Sequence, residues 1–206
     1  EHSAVNQAGL VQRPIKEEDY RSYIELYSQI RGQGIYSVDS LTKLEGILTS
    51  SPYLYAAYGL YRDATLELYV DSQDKQYFKQ LDALLKSSPP EYRYSIYEAV
   101  DRFWLATEMG DVNLVQQQII EAKNRGASNF FLAELNAILF FSQGEYQKAA
   151  EAFIEVMKVR PSTVLLYNLA FTYWRTGELE MSEKILNKLF KILPNEYQAR
   201  QLQANI

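Results

Sequence analysis

The sequence predicts an all-α protein, an α-solenoid of about five helix–turn–helix repeats. Two glycines mark a fixed interval, since Gly144 and Gly177 are 33 residues apart. Two prolines mark the same interval, since Pro161 and Pro194 are also 33 residues apart. A period of this length is typical of repeat arrays, in which each unit buries its apolar face against its neighbours. No stretch alternates strongly enough to indicate a strand.

The last complete helix pair is expected over residues 163–192. Gly177 ends its first helix, because glycine adopts a left-handed conformation without steric cost. Pro194 closes the unit, because proline cannot donate a helical hydrogen bond. The inward-facing residues expected from helical spacing are Leu166, Leu169, Ala170 and Tyr173 on the first helix and Ser182, Leu186 and Leu189 on the second.

The preceding pair is expected over residues 129–159, with Gly144 at its turn and Pro161 after its end. Small residues on facing helices let antiparallel helices approach closely, and larger rings then fill the space around them. We expect this pair to bury Ala133, Ala137 and Phe140 on its first helix and Ala149, Phe153 and Val156 on its second.

Three earlier pairs are expected over residues 91–125, 53–88 and 17–50. In the pair over 91–125, Gly110 marks the turn and Gly126 the helix stop. The two N-terminal pairs are longer and lack a turn glycine. The expected inward-facing residues are Ala99, Phe103, Ala106, Val115, Ile119 and Ala122 in the third pair, Leu54, Tyr58, Tyr61, Leu81, Leu84 and Leu85 in the second, and Leu41, Leu44 and Leu48 in the first.

The two ends of the chain are predicted to differ from the repeats. Residues 1–16 are polar and we interpret them as a tail or linker, with residues 17–206 as the helical repeat domain. On the repeat period, Ala199, Leu202 and Ile206 would face inward on a further helix. That helix is either a cap or the first part of another unit. The chain does not begin with Met, which favours a segment excised from a larger protein.

Composition argues against several functions. The chain of 206 residues has no cysteine, and its single histidine is His2, so zinc-site and thiol chemistry are not indicated. The net charge of −5 gives no basic surface for nucleic acid. Apolar runs are too short for a membrane span, and no signal peptide is evident. We therefore expect a soluble, non-enzymatic protein without cofactor or metal, and favour the cytoplasm as its compartment.

Two acidic clusters are expected to serve helix starts. Residues 17–19 (Glu-Glu-Asp) lie at a predicted helix N-terminus, where negative charge is stabilised by the helix dipole. Residues 71–74 (Asp-Ser-Gln-Asp) are predicted to cap a helix, because they lack the glycine and glutamate of a calcium loop.

The family resemblance rests on a short ordered set of residues. One unit carries, in order, Gly144, Glu145, Tyr146, Ala149, Phe153 and Pro161, and the next repeats the pattern with Tyr173, Gly177 and Pro194. In this the chain resembles the tetratricopeptide repeat family, whose unit is a helix–turn–helix of 34 residues. The resemblance is good over 129–194, fair over 91–126 and loose over 17–90. Ser182 stands where the family has alanine.

The resemblance implies a right-handed stack whose first helices line a concave groove for a protein or peptide. Aromatic side chains on such a wall are the usual anchors of a bound segment. Counting from the repeat starts gives the expected partner-binding residues Tyr97, Asp101, Trp104, Glu134, Phe141, Tyr167, Asn168, Phe171, Trp174 and Arg175. The alternative is that some of these side chains pack between neighbouring repeats.

Family members that hold a C-terminal carboxylate use Asn and Lys or Arg at set groove positions, and only Asn168 matches them in type. Asp63 and Asp101 occupy the equivalent place elsewhere, so an acidic groove is expected to repel a carboxylate. The leading hypothesis is a protein-interaction scaffold, and analogy with fused repeat arrays extends it to a segment of a larger bacterial regulatory protein. Self-association into a homodimer and a carboxylate enzyme on a helical toroid are the alternatives.

Overall fold

The computed structural model describes residues 15–159 and 161–206, and within them the chain forms twelve α-helices and no strand. A π-helical turn, Ser28–Gly32, follows the first helix. The all-α prediction is confirmed. Of the expected tail over residues 1–16, positions 1–14 with His2 lie outside the described residues. The helices are α1 (Glu17–Tyr27), α2 (Val38–Ser50), α3 (Tyr55–Ser72), α4 (Gln76–Ser87), α5 (Pro90–Arg93), α6 (Ile96–Glu108), α7 (Val112–Asn124), α8 (Asn129–Ser142), α9 (Tyr146–Val159), α10 (Thr163–Thr176), α11 (Leu179–Phe190) and α12 (Tyr197–Ala204).

The helices group into two compact units. The first comprises residues 15–30 and Ile35–Asp101, and the second comprises Arg31–Gly34 and Arg102–Ile206. In the first unit α1 packs on α2, α2 on α3 and α3 on α4. In the second, each helix from α8 to α12 packs on the helix before it. Each unit therefore has the sequential neighbour packing of a helical repeat array.

The turns of the second unit have the geometry expected from the glycine spacing. Gly144 has φ 76° and Gly177 has φ 79°, both in the left-handed region. At the second of these turns the Glu178 N–H donates to the Tyr173 carbonyl at 2.9 Å, across the glycine. Such bonds satisfy the last carbonyls of a helix and stop it. The predicted roles of these glycines in ending α8 and α10 are confirmed.

Side-chain caps begin three helices of the second unit, a feature that the sequence analysis does not identify. Asp111 accepts a hydrogen bond from the Leu114 N–H at 3.0 Å at the start of α7. Ser128 and Ser162 accept equivalent bonds, each at 3.2 Å, at the starts of α8 and α10. Caps of this kind satisfy backbone donors that have no partner within the helix. These caps therefore determine where α7, α8 and α10 begin.

The core of the second unit uses small residues at its helix contacts. Ala137, Ala149 and Ala170 are fully buried, which lets the backbones of neighbouring helices approach. Ser182 is also fully buried, and its hydroxyl donates to the Ala170 carbonyl at 2.8 Å. A serine therefore stands where the family resemblance implies alanine, without leaving an unsatisfied polar group. Five residues depart from the predicted burial: Leu84, Ile119, Ala133 and Phe140 are partly exposed, and Ile206 is exposed because α12 ends before it.

The first unit differs from the second in its turns. Gln73 ends α3 at φ 58°, so a non-glycine residue occupies the left-handed position here. The Asp74 carboxylate then accepts from the Gln76 N–H at 2.8 Å, although the N-cap position of α4 itself is Lys75, whose side chain makes no capping bond. A short helix that was not predicted, α5, begins with Pro90 in its first turn. Proline favours that position because its nitrogen carries no hydrogen to leave unpaired.

Candidate partner-binding surface

Helix α10 carries three aromatic side chains along one face. Tyr167, Phe171 and Trp174 are spaced by four and then three residues, which places them in one row on a helix. The ring centroids of Tyr167 and Phe171 are 6.0 Å apart, with an angle of 7° between the ring planes. Those of Phe171 and Trp174 are 5.4 Å apart, with an angle of 15°. The three rings therefore form a nearly parallel row.

Two further rings, on neighbouring helices, join this row at its middle ring, Phe171. Phe141, at the end of α8, lies 5.3 Å from Phe171 between ring centroids. Tyr146, at the start of α9, lies 5.1 Å from Phe141 in an edge-on contact. All five rings are partly exposed. We name the set Phe141, Tyr146, Tyr167, Phe171 and Trp174 the aromatic ladder.

Polar contacts hold two of the outer rings of the aromatic ladder, Tyr146 and Trp174. The Arg175 guanidinium lies 5.3 Å from the Tyr146 ring centroid and donates a hydrogen bond of 2.7 Å to the Tyr146 hydroxyl. At the other end, the indole N–H of Trp174 donates to the Asn205 carbonyl at 3.3 Å. Rings held by such contacts lose little side-chain entropy when a partner covers them.

Asn168 lies next to Tyr167 on α10, and one of its polar atoms lacks a partner. The backbone carbonyl of Asn168 accepts a 2.7 Å bond from the Thr172 hydroxyl. Its side-chain Nδ2 is buried and has no hydrogen-bond acceptor in the structure. A buried donor without an acceptor costs about 1–3 kcal/mol. Glu134 is partly exposed and is the only charged residue of α8, as Arg175 is of α10.

Two of the expected aromatic residues lie outside the aromatic ladder. Tyr97, in the first unit, is 62% exposed, and its ring centroid lies 5.9 Å from that of Tyr55. Trp104, in the second unit, is partly exposed on α6 and packs edge-on against Phe103 at 5.6 Å. The expected residues brought together by the structure are therefore Phe141, Tyr167, Asn168, Phe171, Trp174 and Arg175.

Asp101 has a placement different from the one expected. Its side chain is buried, and its carboxylate accepts a 2.7 Å bond from Arg62 and a hydrogen bond from the Tyr92 hydroxyl. Burial raises the pKa of Asp101 to about 6, although Arg62 and Tyr92 act in the opposite direction. Asp63 pairs with the same Arg62 at 2.7 Å. The open acidic surface expected from these two carboxylates is therefore not present.

Sequence reasoning misses one residue of the aromatic ladder. Tyr146 belongs to the family pattern but is not among the expected site residues. Its position directly after the Gly144 turn places it at the first turn of α9, beside the end of α8. A tyrosine at that position is the one sign in the sequence that this residue could join the site. Its contact with Arg175 is not visible there, because Arg175 belongs to the next helix pair.

Two further properties bear on function. Within residues 15–159 and 161–206, no three His, Cys, Asp or Glu side chains are grouped so that they could hold a metal ion. No helix in the described part of the chain is both long and apolar enough to cross a bilayer.

Sequential helix packing with glycine turns at a fixed period defines a helical-repeat protein. A family model described as tetratricopeptide repeat matches residues 164–196, which include α10 and α11. This match covers one helix pair, so over those residues the chain is similar to the tetratricopeptide repeat, as the spacing of its glycines and prolines predicts. No curated protein sequence matches the chain.

Solved structures resemble the chain at low sequence identity. A thermophilic TPR protein of Thermus thermophilus is 15% identical, with 92% of this chain and 97% of that chain covered. Its TM-score of 0.61 shows that the two chains share a fold. MamA of MSR-1 is 16% identical, with 92% of this chain and 99% of that chain covered and a TM-score of 0.41.

Proposed function

We propose that the chain is a non-catalytic scaffold that binds a protein or peptide partner through the aromatic ladder of its second unit. The observation that supports this most strongly is the set of five partly exposed rings, each of which contacts at least one other ring of the set. Large rigid rings bury much apolar area at little entropic cost, so they serve as anchors in protein interfaces. Repeat arrays of this class commonly act by presenting such surfaces.

The remaining expected site residues have lesser roles in this proposal. Asn168, Glu134 and Arg175 contribute polar contacts at the border of the aromatic ladder. Trp104 and Tyr97 are separate candidates, because neither lies on helices α8, α9 or α10. Asp101 acts within the fold, where it pairs with Arg62. Residues 17–206 form the repeat region that carries this function.

The test uses peptides selected from a random display library on the immobilised chain. Their affinity is then measured by fluorescence anisotropy for the wild type, Trp174→Ala and Phe171→Ala. We expect at least tenfold weaker binding to both variants, since central aromatic residues dominate interface energies. Tyr94→Ala is the matched control, because Tyr94 is 76% exposed and lies in the first unit. Selected peptides that bind all four proteins equally would refute the proposal.

Self-association is a second candidate, supported by apolar side chains after α11. Ile192 is 60% exposed and Leu193 is 41% exposed in the segment between α11 and α12. Ile206, after α12, is 37% exposed. Contacts between copies would cover these side chains. Light scattering over a wide concentration range is the test, and a constant monomer mass removes this candidate.

A further inference from the structure

We infer that the partner segment is an uncharged, proline-rich stretch in the polyproline II conformation, lying along α10. This inference rests on the proposed function and names the chemistry of the partner. Proline-rich segments are recognised by aromatic-lined grooves, because their conformation is already formed before binding and little entropy is lost.

The spacing of the rings suits such a segment. Tyr167 and Trp174 are seven residues apart on α10, which corresponds to about 10.5 Å along the helix axis. One turn of polyproline II is three residues long and advances about 9.3 Å. Prolines one turn apart can therefore contact the rings of Tyr167 and Trp174, with Phe171 between them. The small angles between these three ring planes give the prolines a continuous row of similar contacts.

Charge complementarity favours an uncharged partner. Helices α8 and α10 each carry a single charged residue, Glu134 and Arg175. Arg175 contacts the ring and the hydroxyl of Tyr146. Glu134 is not without a partner either. One basic and one acidic side chain give this surface little net charge, so it offers a strongly acidic or basic segment little attraction to offset the hydration lost on binding. A proline-rich segment carries no charge to desolvate.

The hydrogen-bonding groups beside the rings also favour a proline-rich partner. Proline lacks the backbone N–H, so a proline-rich segment offers mainly carbonyl acceptors. The Asn168 Nδ2 donor has no acceptor, and a turn of this amide toward a partner carbonyl would satisfy it. The Trp174 indole N–H makes a long bond of 3.3 Å, to Asn205. Both donors lie on α10, along the row of rings.

A labelled decaproline peptide is the probe, measured by fluorescence anisotropy against the whole chain. The control peptide has the same length and alternates glycine and serine. Tyr167→Leu and Trp174→Leu keep apolar bulk on α10 and remove the ring faces, and circular dichroism verifies that both fold. We expect decaproline to bind the wild type at least tenfold more tightly than the control peptide. Each leucine variant should weaken that binding at least tenfold, while Tyr94→Leu leaves it unchanged.

The inference is overturned if decaproline binds no better than the control peptide, or if it binds both leucine variants as tightly as the wild type. The library peptides separate this failure from failure of the proposed function. If they depend on the aromatic ladder but contain no prolines and are not displaced by decaproline, the scaffold proposal stands and the proline inference falls. If no selected peptide depends on the aromatic ladder, both fall.

Discussion

Tyr92→Phe removes one buried hydroxyl and leaves the surrounding packing in place. Tyr92 is fully buried, its ring stacks on Tyr58 with centroids 4.0 Å apart, and its hydroxyl donates to the Asp101 carboxylate. A hydrogen bond to a charged group contributes about 1.5–3 kcal/mol. We therefore expect the variant to lower the free energy of unfolding by about 2 kcal/mol at pH 8, where Asp101 is ionised.

The size of this loss should depend on pH. Burial raises the pKa of Asp101 to about 6, so the stability that this carboxyl contributes is present at low pH and falls as pH rises through 6. The Tyr92 hydrogen bond opposes that rise, because it favours the ionised form. Without the hydroxyl the pKa of Asp101 rises further. The deficit of the variant should therefore shrink from about 2 kcal/mol at pH 8 to below about 1 kcal/mol at pH 5.

Urea unfolding followed by circular dichroism at pH 5 and pH 8 measures both values. Tyr97→Phe is the matched control, because it makes the same change at a side chain that is 62% exposed. Exposed substitutions of this kind stay within about 0.5 kcal/mol. A Tyr92→Phe deficit that is equal at the two pH values, or that does not exceed the deficit of the control, would show that the buried cluster is wrongly described.

Three further predictions concern the helix pairs, all measured by urea unfolding at pH 7. Gly177→Ala should lower the free energy of unfolding by about 1–2 kcal/mol because residue 177 has φ 79°. As its control, Gly46→Ala lies inside α2 with open space around it and should raise that free energy by about 0.5–1 kcal/mol. The opposite order of the two effects would contradict the assigned turn. Ser182→Ala should lower stability by about 1 kcal/mol through loss of its bond to Ala170, and no loss would place its hydroxyl elsewhere. Leu186→Ala should lower the free energy of unfolding by about 2–5 kcal/mol, because Leu186 is fully buried. A smaller loss would contradict its core position.

Much of the fold could be predicted because its signals are local. A glycine at a left-handed turn and an apolar stripe at helical spacing act within one helix pair, as at Gly144 and Gly177. The N-terminal pairs are harder to place, because Gln73 takes the left-handed position without being a glycine. The helix α5 escapes prediction because four residues are too few for a periodic pattern.

The candidate site could be predicted only in part. The row of Tyr167, Phe171 and Trp174 follows from helical spacing on one element, so counting along α10 finds it. Counting along α6 does not reveal that Asp101 is buried, because its partner Arg62 lies 39 residues away in the sequence. A contact between distant residues leaves no periodic signal in a single sequence.

The most direct test of the account is the indole N–H resonance of Trp174 in a nuclear magnetic resonance titration. The chain contains two tryptophans, so a Trp104→Phe variant assigns both indole signals. The titrant is the library peptide that the wild type binds most tightly. We predict that the Trp174 signal shifts and saturates together with the binding curve. A Trp174 signal that stays in place while the peptide binds and other resonances shift would contradict the aromatic ladder as the partner surface.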